Sequence, residues 1–360
     1  MITAQVQKRI GPDFLLDVAF TLPAQQTLAV LGHNGSGKTT LLDLLAGLRR
    51  PDAGRVALNG RVVYDAARGI NVPARARHLG YIFQHYALFP HLTVRDNVRC
   101  GLRGQPQRLE ELLRQFRLEA LADRYPRQLS GGEQQRLALA RSLASHPAVL
   151  LLDEPFSALD PPWRRELRQE FRSLRAQFNL TAVLVTHDPG EALELGDAVL
   201  VLEQGKVAQH GSADQVMWQP ASPYVAAITG NPNLFTSQVL EVEGDTMVLQ
   251  AYGTRITASG VVASPGRTVA WTVRPEAVMI LRPGRPLAAP VQENHLQGVL
   301  TSTAKEIDGH SFTVAVPRWP PIVGRVPHTT WERLMADTGQ AVTVSLKRSA
   351  TWVMGRQEAP

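Results

Sequence analysis

The sequence predicts an α/β domain built around a parallel sheet, with a helical insertion, followed by an all-β unit in its last third. Three observations carry that reading. The stretch Gly32-His33-Asn34-Gly35-Ser36-Gly37-Lys38-Thr39 has the pattern G-x-x-x-x-G-K-T and lies between an apolar run, Thr27–Leu31, and a stretch of helical composition that ends at Gly47. A second apolar run, Val149-Leu150-Leu151-Leu152, closes on two carboxylates, Asp153 and Glu154. After Pro232 the helical spacing stops and short alternating runs begin, such as Met247-Val248-Leu249 and Val269–Val273. A strand, a glycine-rich turn and a helix N-terminus in that order form a phosphate cradle. A buried strand ending in acids delivers them to the carboxyl edge of a parallel sheet, where ligands bind.

Composition sets the bounds. At 360 residues, two domains are expected. A hydrophobic content of 44% with 19% charged residues is that of an ordinary globular chain with material for a core. Lys+Arg 38 against Asp+Glu 32 gives a net charge of +6, too mild an excess to point to nucleic acid or a membrane surface by itself. The single cysteine, Cys100, excludes an intramolecular disulfide framework and a multi-cysteine zinc site. The N-terminus is polar and basic, without the apolar core of a signal peptide, and no uncharged apolar run approaches the ~20 residues that span a bilayer. A cytosolic chain that does not itself cross a membrane is expected.

In chain order, residues 1–31 read as short strands, including Ile2–Val6 and Phe14–Phe20. In the Gly-rich loop, backbone N–H groups from Gly32 to Thr40 are expected to curl around a β-phosphate, Lys38 would reach the β- and γ-phosphates, and the Thr39 hydroxyl would ligate Mg²⁺. Arg55–Val63 reads as a hairpin turning at Asn59-Gly60. Leu79–Phe83 reads as a strand ending at Gln84. From about 105 to 145, leucines and arginines recur at helical spacing, and Leu109, Leu112, Leu113 and Phe116 share one face, which packs against a neighbour. Ser130-Gly131-Gly132 opens a helix, either as an anion-binding N-terminus or simply as an N-cap at Ser130. One chain cannot easily bring two such helix ends to one γ-phosphate, whereas a head-to-tail dimer can. In such a site Asp153 would help to hold Mg²⁺, and Glu154, one residue on, would polarise the attacking water. The arginines 164, 165, 168, 172 and 175 alternate with Glu166 and Glu170 at helical spacing and read as a solvated helix face, with nucleic-acid binding the disfavoured alternative.

Taken together, these motifs resemble the ATP-binding cassette (ABC) ATPases. The carriers are the P-loop Gly32–Thr39, a Q-loop glutamine at Gln84, the signature Leu129–Gln134, and the strand ending at Asp153-Glu154. Ser157-Ala158-Leu159-Asp160 resembles the D-loop, and Val183–Asp188 resembles the strand that carries the switch histidine, His187. The six elements follow the family's order over residues 27–190. The resemblance implies ATP and Mg²⁺ as cofactors, with nucleotide contacts from Gly32 through Thr40 and, across a homodimer, from Ser130, Gly131 and Gly132. It implies Thr39, Gln84 and Asp153 at the metal, and Glu154, His187 and Gln84 as the catalytic set. Two departures are visible: His33 stands where many relatives have proline, and Glu133 where glutamine is usual. Phe14 is the candidate aromatic for stacking on adenine, against a plain core-packing role.

Within the family, a single cassette without a coiled-coil insertion disfavours the repair and chromosome-structure branches; a soluble ATPase with a mechanical or repair role is the alternative of another class. The resemblance implies the energising subunit of an importer, docked on two copies of a separate permease at the cytoplasmic face of the inner membrane. A periplasmic or extracellular solute-binding protein belongs to the same system, and nucleic acid is not expected. The domains are expected at 1–232, with the helical subdomain at about 85–145, and at 233–360.

The tail carries an internal repeat: Gly266–Ala277 aligns with Gly339–Ala350, and each half begins with a Val-Leu pair, Val239-Leu240 and Val299-Leu300. Two small OB-like units follow from that duplication, and they resemble the regulatory tails (TOBE or molybdate-binding-like) of importer ATPases. Residues 61–70, 77–84 and 88–91 resemble the molybdate importer ATPase, with sulfate/thiosulfate, iron, polyamine or sugar as alternatives. Against oxyanion sensing by the tail, the run Val291-Gln292-Glu293-Asn294 keeps an asparagine but has lost the serine and arginine of the family's binding run.

Overall fold

The computed structural model describes residues 1–102, 107–157, 161–281, 294–334 and 336–355. Two compact units, Met1–Ala213 and Asp214–Pro360, make up the chain. The sequence places the division at 232/233. The side chains of Asn231 and Asn233, on either side of that position, both hydrogen-bond into the β-structure that follows them.

The first unit is organised on one eleven-stranded sheet. Its strands are β1 (Ile2–Ile10), β2 (Phe14–Leu22), β3 (Thr27–Leu31), β4 (Ala53–Leu58), β5 (Arg61–Asp65), β6 (Ile70–Asn71), β7 (Leu79–Ile82), β8 (Val149–Asp153), β9 (Thr181–Val185), β10 (Ala198–Glu203) and β11 (Lys206–Ser212), in the order β6-β5-β4-β1-β2-β11-β10-β3-β9-β8-β7. The run β10-β3-β9-β8-β7 is parallel throughout. Every residue of β3, β8 and β9 is buried, as a parallel sheet covered on both faces requires. Successive residues serve opposite layers: Leu150 and Leu152 face one core cluster, Val149 and Leu151 the other. The hairpin between β4 and β5 turns at Asn59 and Gly60, both at positive φ (49° and 78°), the conformation for which Asn-Gly is suited.

Helix α1 (Lys38–Ala46) follows β3. On the other face lie α2 (Val94–Gly101), α3 (Arg108–Gln115) and α4 (Gly131–Leu143); α5 (Pro161–Gln177) and α6 (Pro189–Leu195) complete the unit. The expected apolar face is buried: Leu112, Leu113 and Phe116 are at most 1% exposed and join Leu137, Leu150 and Leu152 in one core.

The second unit is almost all β after two short helices, α7 (Ala213–Trp218) and α8 (Pro223–Ile228). Strands β12 (Leu234–Glu243), β13 (Thr246–Ala251), β14 (Thr254–Gly260) and β15 (Thr268–Val273) are followed by β16 (Val278–Leu281), β17 (His295–Glu306), β18 (Gly309–Ala315) and β19 (Ile322–Val326). After α9 (His328–Leu334) come β20 (Ala341–Leu346) and β21 (Thr351–Met354). A closed barrel has the order β12-β13-β14-β21-β15, and a five-stranded sheet has the order β16-β20-β17-β18-β19. Each has the five-strand order expected of an OB-like unit, but the fifth strands are exchanged: β16 pairs with β20, and β21 closes the first barrel between β14 and β15.

The repeat is in the structure at a register one residue from the Val-Leu match. Gly266 N–H donates to the Val239 carbonyl, and Gly339 N–H donates to that of Leu300, so Val239 corresponds to Leu300 rather than Val299. A bulge follows each of these residues, at the same place in both repeats.

The exchange is held by two asparagines at equivalent places. Asn233 Nδ2 donates to the carbonyls of Val273 and Val323, and its Oδ1 accepts from Val323 N–H. Asn294 Nδ2 donates to the carbonyls of Thr257 and Leu346, and its Oδ1 accepts from Thr257 N–H. The asparagine read as a remnant of an oxyanion run therefore has its amide committed to the backbone. The other residues of that run, 291–293, lie outside the described residues.

Candidate active site

Four adjacent parallel strands, β3, β9, β8 and β7, release their chains at one edge of the sheet. From that edge emerge the loop Gly32–Gly37, Thr186-His187, Asp153-Glu154 and Phe83-Gln84 respectively. Residues separated by up to 155 positions are brought together because crossovers in a parallel sheet return every strand in the same direction.

The loop itself is shaped by close approach. Gly37 has φ 104°, and a Cβ there would sit 2.7 Å from Leu16 Cδ1 and 3.3 Å from Phe14 Cζ. Phe14 packs partly buried on the neighbouring core, the plainer of the two roles the sequence allows it. Lys38 is 6% exposed and its Nζ donates to the carbonyls of Gly32 (2.8 Å) and His33 (3.0 Å), so the ammonium lies folded inside the loop. Burial pushes its pKa down, while Glu154 and Asp153 push it up. Ser36 Oγ is buried and has no hydrogen-bond partner. An orphaned hydroxyl and a cation whose hydrogen bonds go to neutral carbonyls, in a glycine-rich loop, fit a phosphate chain.

Asp153 is 5% exposed, and burial raises its carboxyl pKa, opposed by a hydrogen bond from Thr39. A hydroxyl and a carboxylate already in contact are hard oxygen donors, the kind Mg²⁺ takes alongside phosphate oxygens. Glu154 stands at φ 46°, with its N–H bonded to the Val185 carbonyl and its own carbonyl accepting from Ser157 Oγ at 2.9 Å. This left-handed turn swings its side chain out of the strand line. Its Oε2 lies 3.3 Å from His187 Nδ1 and 3.5 Å from Gln84 Nε2. Glu154, His187 and Gln84, 103 positions apart at the extremes, thus converge on one carboxylate oxygen.

Ser130 sits apart from this convergence. It caps α4: its N–H and Oγ both donate to Glu133 Oε2, at 2.7 and 2.8 Å, and its Oγ accepts from Glu133 N–H. Those two donations hold the Glu133 carboxyl below its ordinary range, the backbone one most. Within one chain, then, the N-cap role is the one observed, and Glu133 completes a capping box that glutamine would also allow. The D-loop residues Ala158–Asp160 lie outside the described residues.

The sequence did not point to the supports behind His187. Thr186 Oγ1 donates to Glu191 Oε2 at 2.5 Å, Asp188 N–H donates to Thr186 Oγ1, and the Arg168 guanidinium bonds Asp188, Glu191 and Glu194. Arg168, read as part of a solvated face, has a side chain only 13% exposed and is ion-paired. Its i+3/i+4 spacing is that of a helix face, but α6 covers part of that face with acids. Arg165 and Arg172 remain exposed, as expected.

Residues 15–157 match the family model described as ABC transporter. The chain is 40% identical over 349 residues to the sulfate/thiosulfate import ATP-binding protein CysA 1 of Chromobacterium violaceum, covering 92% of this chain and 94% of that protein. It is 44% identical over 251 residues to the protein of the same description from Halalkalibacterium halodurans (66% and 69% covered), and 47% identical over 243 residues to that of Synechocystis sp. (65% and 66% covered). Among solved structures, an ATP-binding cassette dimer in a post-hydrolysis state with ADP and Pi aligns with TM-score 0.51 and 28% identity, over 59% of this chain and 99% of that one. CbiO1 from Clostridium perfringens aligns with TM-score 0.53 and 24% identity, over 60% and 89%, and shares the fold. With the cassette motifs converging on one sheet edge and a relative matched along nearly the whole chain, this protein belongs to the ABC transporter family, as an ATP-binding subunit of importer type.

Proposed function

We propose that this chain hydrolyses ATP to drive uptake of sulfate or thiosulfate through a separate permease. The observation that carries the chemistry is the convergence of Gln84 and His187 on Glu154 Oε2 beside the Lys38 loop. Lys38 leaves the carbonyls of Gly32 and His33 for the phosphates, and Ser36 Oγ gains the partner it lacks. Glu154 takes the proton of the attacking water, with His187 orienting its carboxylate and facing the γ-phosphate. Thr39 and Asp153, beside Gln84, would hold Mg²⁺, which would supply neutralisation of charge on the phosphate oxygens.

Ser130, Gly131 and Gly132 serve the nucleotide of a second copy, so two chains act head to tail. Closure moves a pair of permease subunits seated near Gln84–Val98, at the cytoplasmic face of the membrane, and a solute-binding protein delivers the anion outside. No described helix is long and apolar enough to cross a bilayer, in keeping with a separate permease.

For the transported solute, the relatives' descriptions back sulfate/thiosulfate over the molybdate suggested by residues 61–91, and one of them aligns through the tail as well. The Asn294 amide is taken up by the backbone of Thr257 and Leu346, which supports weak or absent oxyanion sensing by the tail. Two measurements test the proposal. Glu154→Gln should keep ATP binding and lower turnover by about 10²–10⁴-fold; near-normal turnover would remove Glu154 as the base. Uptake by the assembled importer should prefer sulfate or thiosulfate, and a preference for molybdate would overturn the substrate assignment.

A further inference from the structure

Immediately after Gln84 the backbone takes a conformation that its residues do not favour. Tyr86 and Ala87 both have positive φ, 59° and 46°, and neither is glycine or asparagine. Side-chain-bearing residues hold this region only where the surroundings impose it. Two turn bonds shape it locally, from Tyr86 N–H to the Phe83 carbonyl (2.8 Å) and from Ala87 N–H to the His85 carbonyl (2.6 Å), and one side chain grips both of its carbonyls. Arg141, in the last turn of α4, donates from Nη2 to the Tyr86 carbonyl (2.9 Å) and from Nη1 to the Ala87 carbonyl (2.7 Å). Its guanidinium also lies over the Phe89 ring, 5.2 Å from the centroid.

Arg141 has no ion pair with a carboxylate among the described residues, and burial lowers its pKa. A desolvated cation that serves neutral carbonyls is poorly explained as a charge pair. It is well explained as a planar fork that fixes two consecutive carbonyls at once, which neither lysine nor an apolar residue can do. The opposite side of the same segment is tied to the catalytic strand: Tyr86 Oη donates to the Pro155 carbonyl and Gln84 Nε2 to Glu154 Oε2, each at 3.5 Å. The segment 84–87 is thus strung between α4 and Glu154-Pro155.

We propose that Arg141 is a positioning residue for hydrolysis, setting Gln84 against Glu154 through the carbonyls of Tyr86 and Ala87. Because α4 opens at Ser130, the same fork makes the placement of Gln84 depend on where that helix stands. This inference rests on the assignment of Glu154 and Gln84 above.

A double-mutant cycle on the full-length protein tests it. Arg141→Met should lower kcat for ATP about tenfold, with KM within about twofold, and should add less than about twofold in a Gln84→Ala background. Arg141→Lys, which reaches one carbonyl at a time, should fall between parent and Arg141→Met, and it replaces the methionine variant in the cycle if that protein does not fold. Equal losses in both backgrounds, a loss confined to KM, or a Gln84→Ala protein with parental kcat would each overturn the proposal. Failure of the base assignment shows separately, as undiminished turnover in Glu154→Gln.

Discussion

Removing the Asn294 side chain should unfold the β unit far more readily than its place at the end of a long connection suggests. The amide is 8% exposed and serves three backbone groups: the N–H and carbonyl of Thr257 and the carbonyl of Leu346. A backbone group that loses its partner inside a protein costs about 1–3 kcal/mol. Thr257 is only half-buried and the Leu346 bond is long at 3.2 Å, so the low end applies, roughly 3 kcal/mol for the set. Asn294 also stands at φ 57°, where alanine adds about 1–2 kcal/mol. Asn294→Ala should therefore lose about 4–5 kcal/mol, and Asn294→Gly about 1 kcal/mol less. Asn233→Ala, which has no left-handed backbone to penalise it, should resemble the glycine variant.

Five of the six tryptophans follow Ala213, so fluorescence in urea reports this unit within the full chain. At the usual urea sensitivity of small domains the alanine variant should shift the midpoint by roughly 2 M. A shift below about 0.5 M would refute the clasp, given the same sensitivity. So would a molybdate- or sulfate-induced rise in the parent midpoint that vanished in Asn294→Ala, because the amide would then have been serving an anion.

What the sequence disclosed and what it withheld divide along a physical line. The Gly32–Thr39 loop, the Asp153-Glu154 strand end and the Asn59-Gly60 turn are legible because each demands particular residue types at adjacent positions. The buried face from Leu109 to Phe116 is legible because helical periodicity is equally local. Arg141 is not, because its partners are carbonyls 55 and 54 positions away and carry no side-chain signature. Nor do Tyr86 and Ala87 announce a left-handed backbone, since neither residue type favours one. The ion pairs of Arg168 escape the sequence for a related reason: spacing identifies a helix face but not what covers it. Asn294 shows the same limit most sharply. Its function depends on an exchange of strands between two repeats, which pairs residues far apart in the chain. Ser130 is a different case, since N-cap and anion-binding roles ask for the same residue at the same place, and a single chain displays only the first.

Ser130→Arg should leave nucleotide binding to the single chain intact and abolish ATP-driven dimerisation, read by sedimentation with Glu154→Gln in the background; equal dimerisation of both proteins would sink the head-to-tail arrangement. Asp153→Asn should make the nucleotide-free protein more stable while weakening its response to Mg²⁺ and ATP. The sign follows from the raised pKa. Burial makes the folded state hold the Asp153 proton more tightly than the unfolded chain does, whose value is 3.8. Below that pH the group is neutral in both states and contributes nothing. As pH rises through the folded value, the folded protein carries a desolvated charge that the unfolded chain keeps in water, so stability is lost and stays lost at neutral pH. Asparagine retains an oxygen for the Thr39 hydroxyl but never ionises. The melting temperature of Asp153→Asn should therefore exceed that of the parent at pH 7–8, and the gap should close as pH falls toward 4. With Mg²⁺ and ATP present the order should reverse, because only the parent gains binding energy from the metal. A lower melting temperature for the nucleotide-free variant at neutral pH, or a gap indifferent to pH, would show that Asp153 is held by compensating contacts and is not a carboxylate kept charged for a cation.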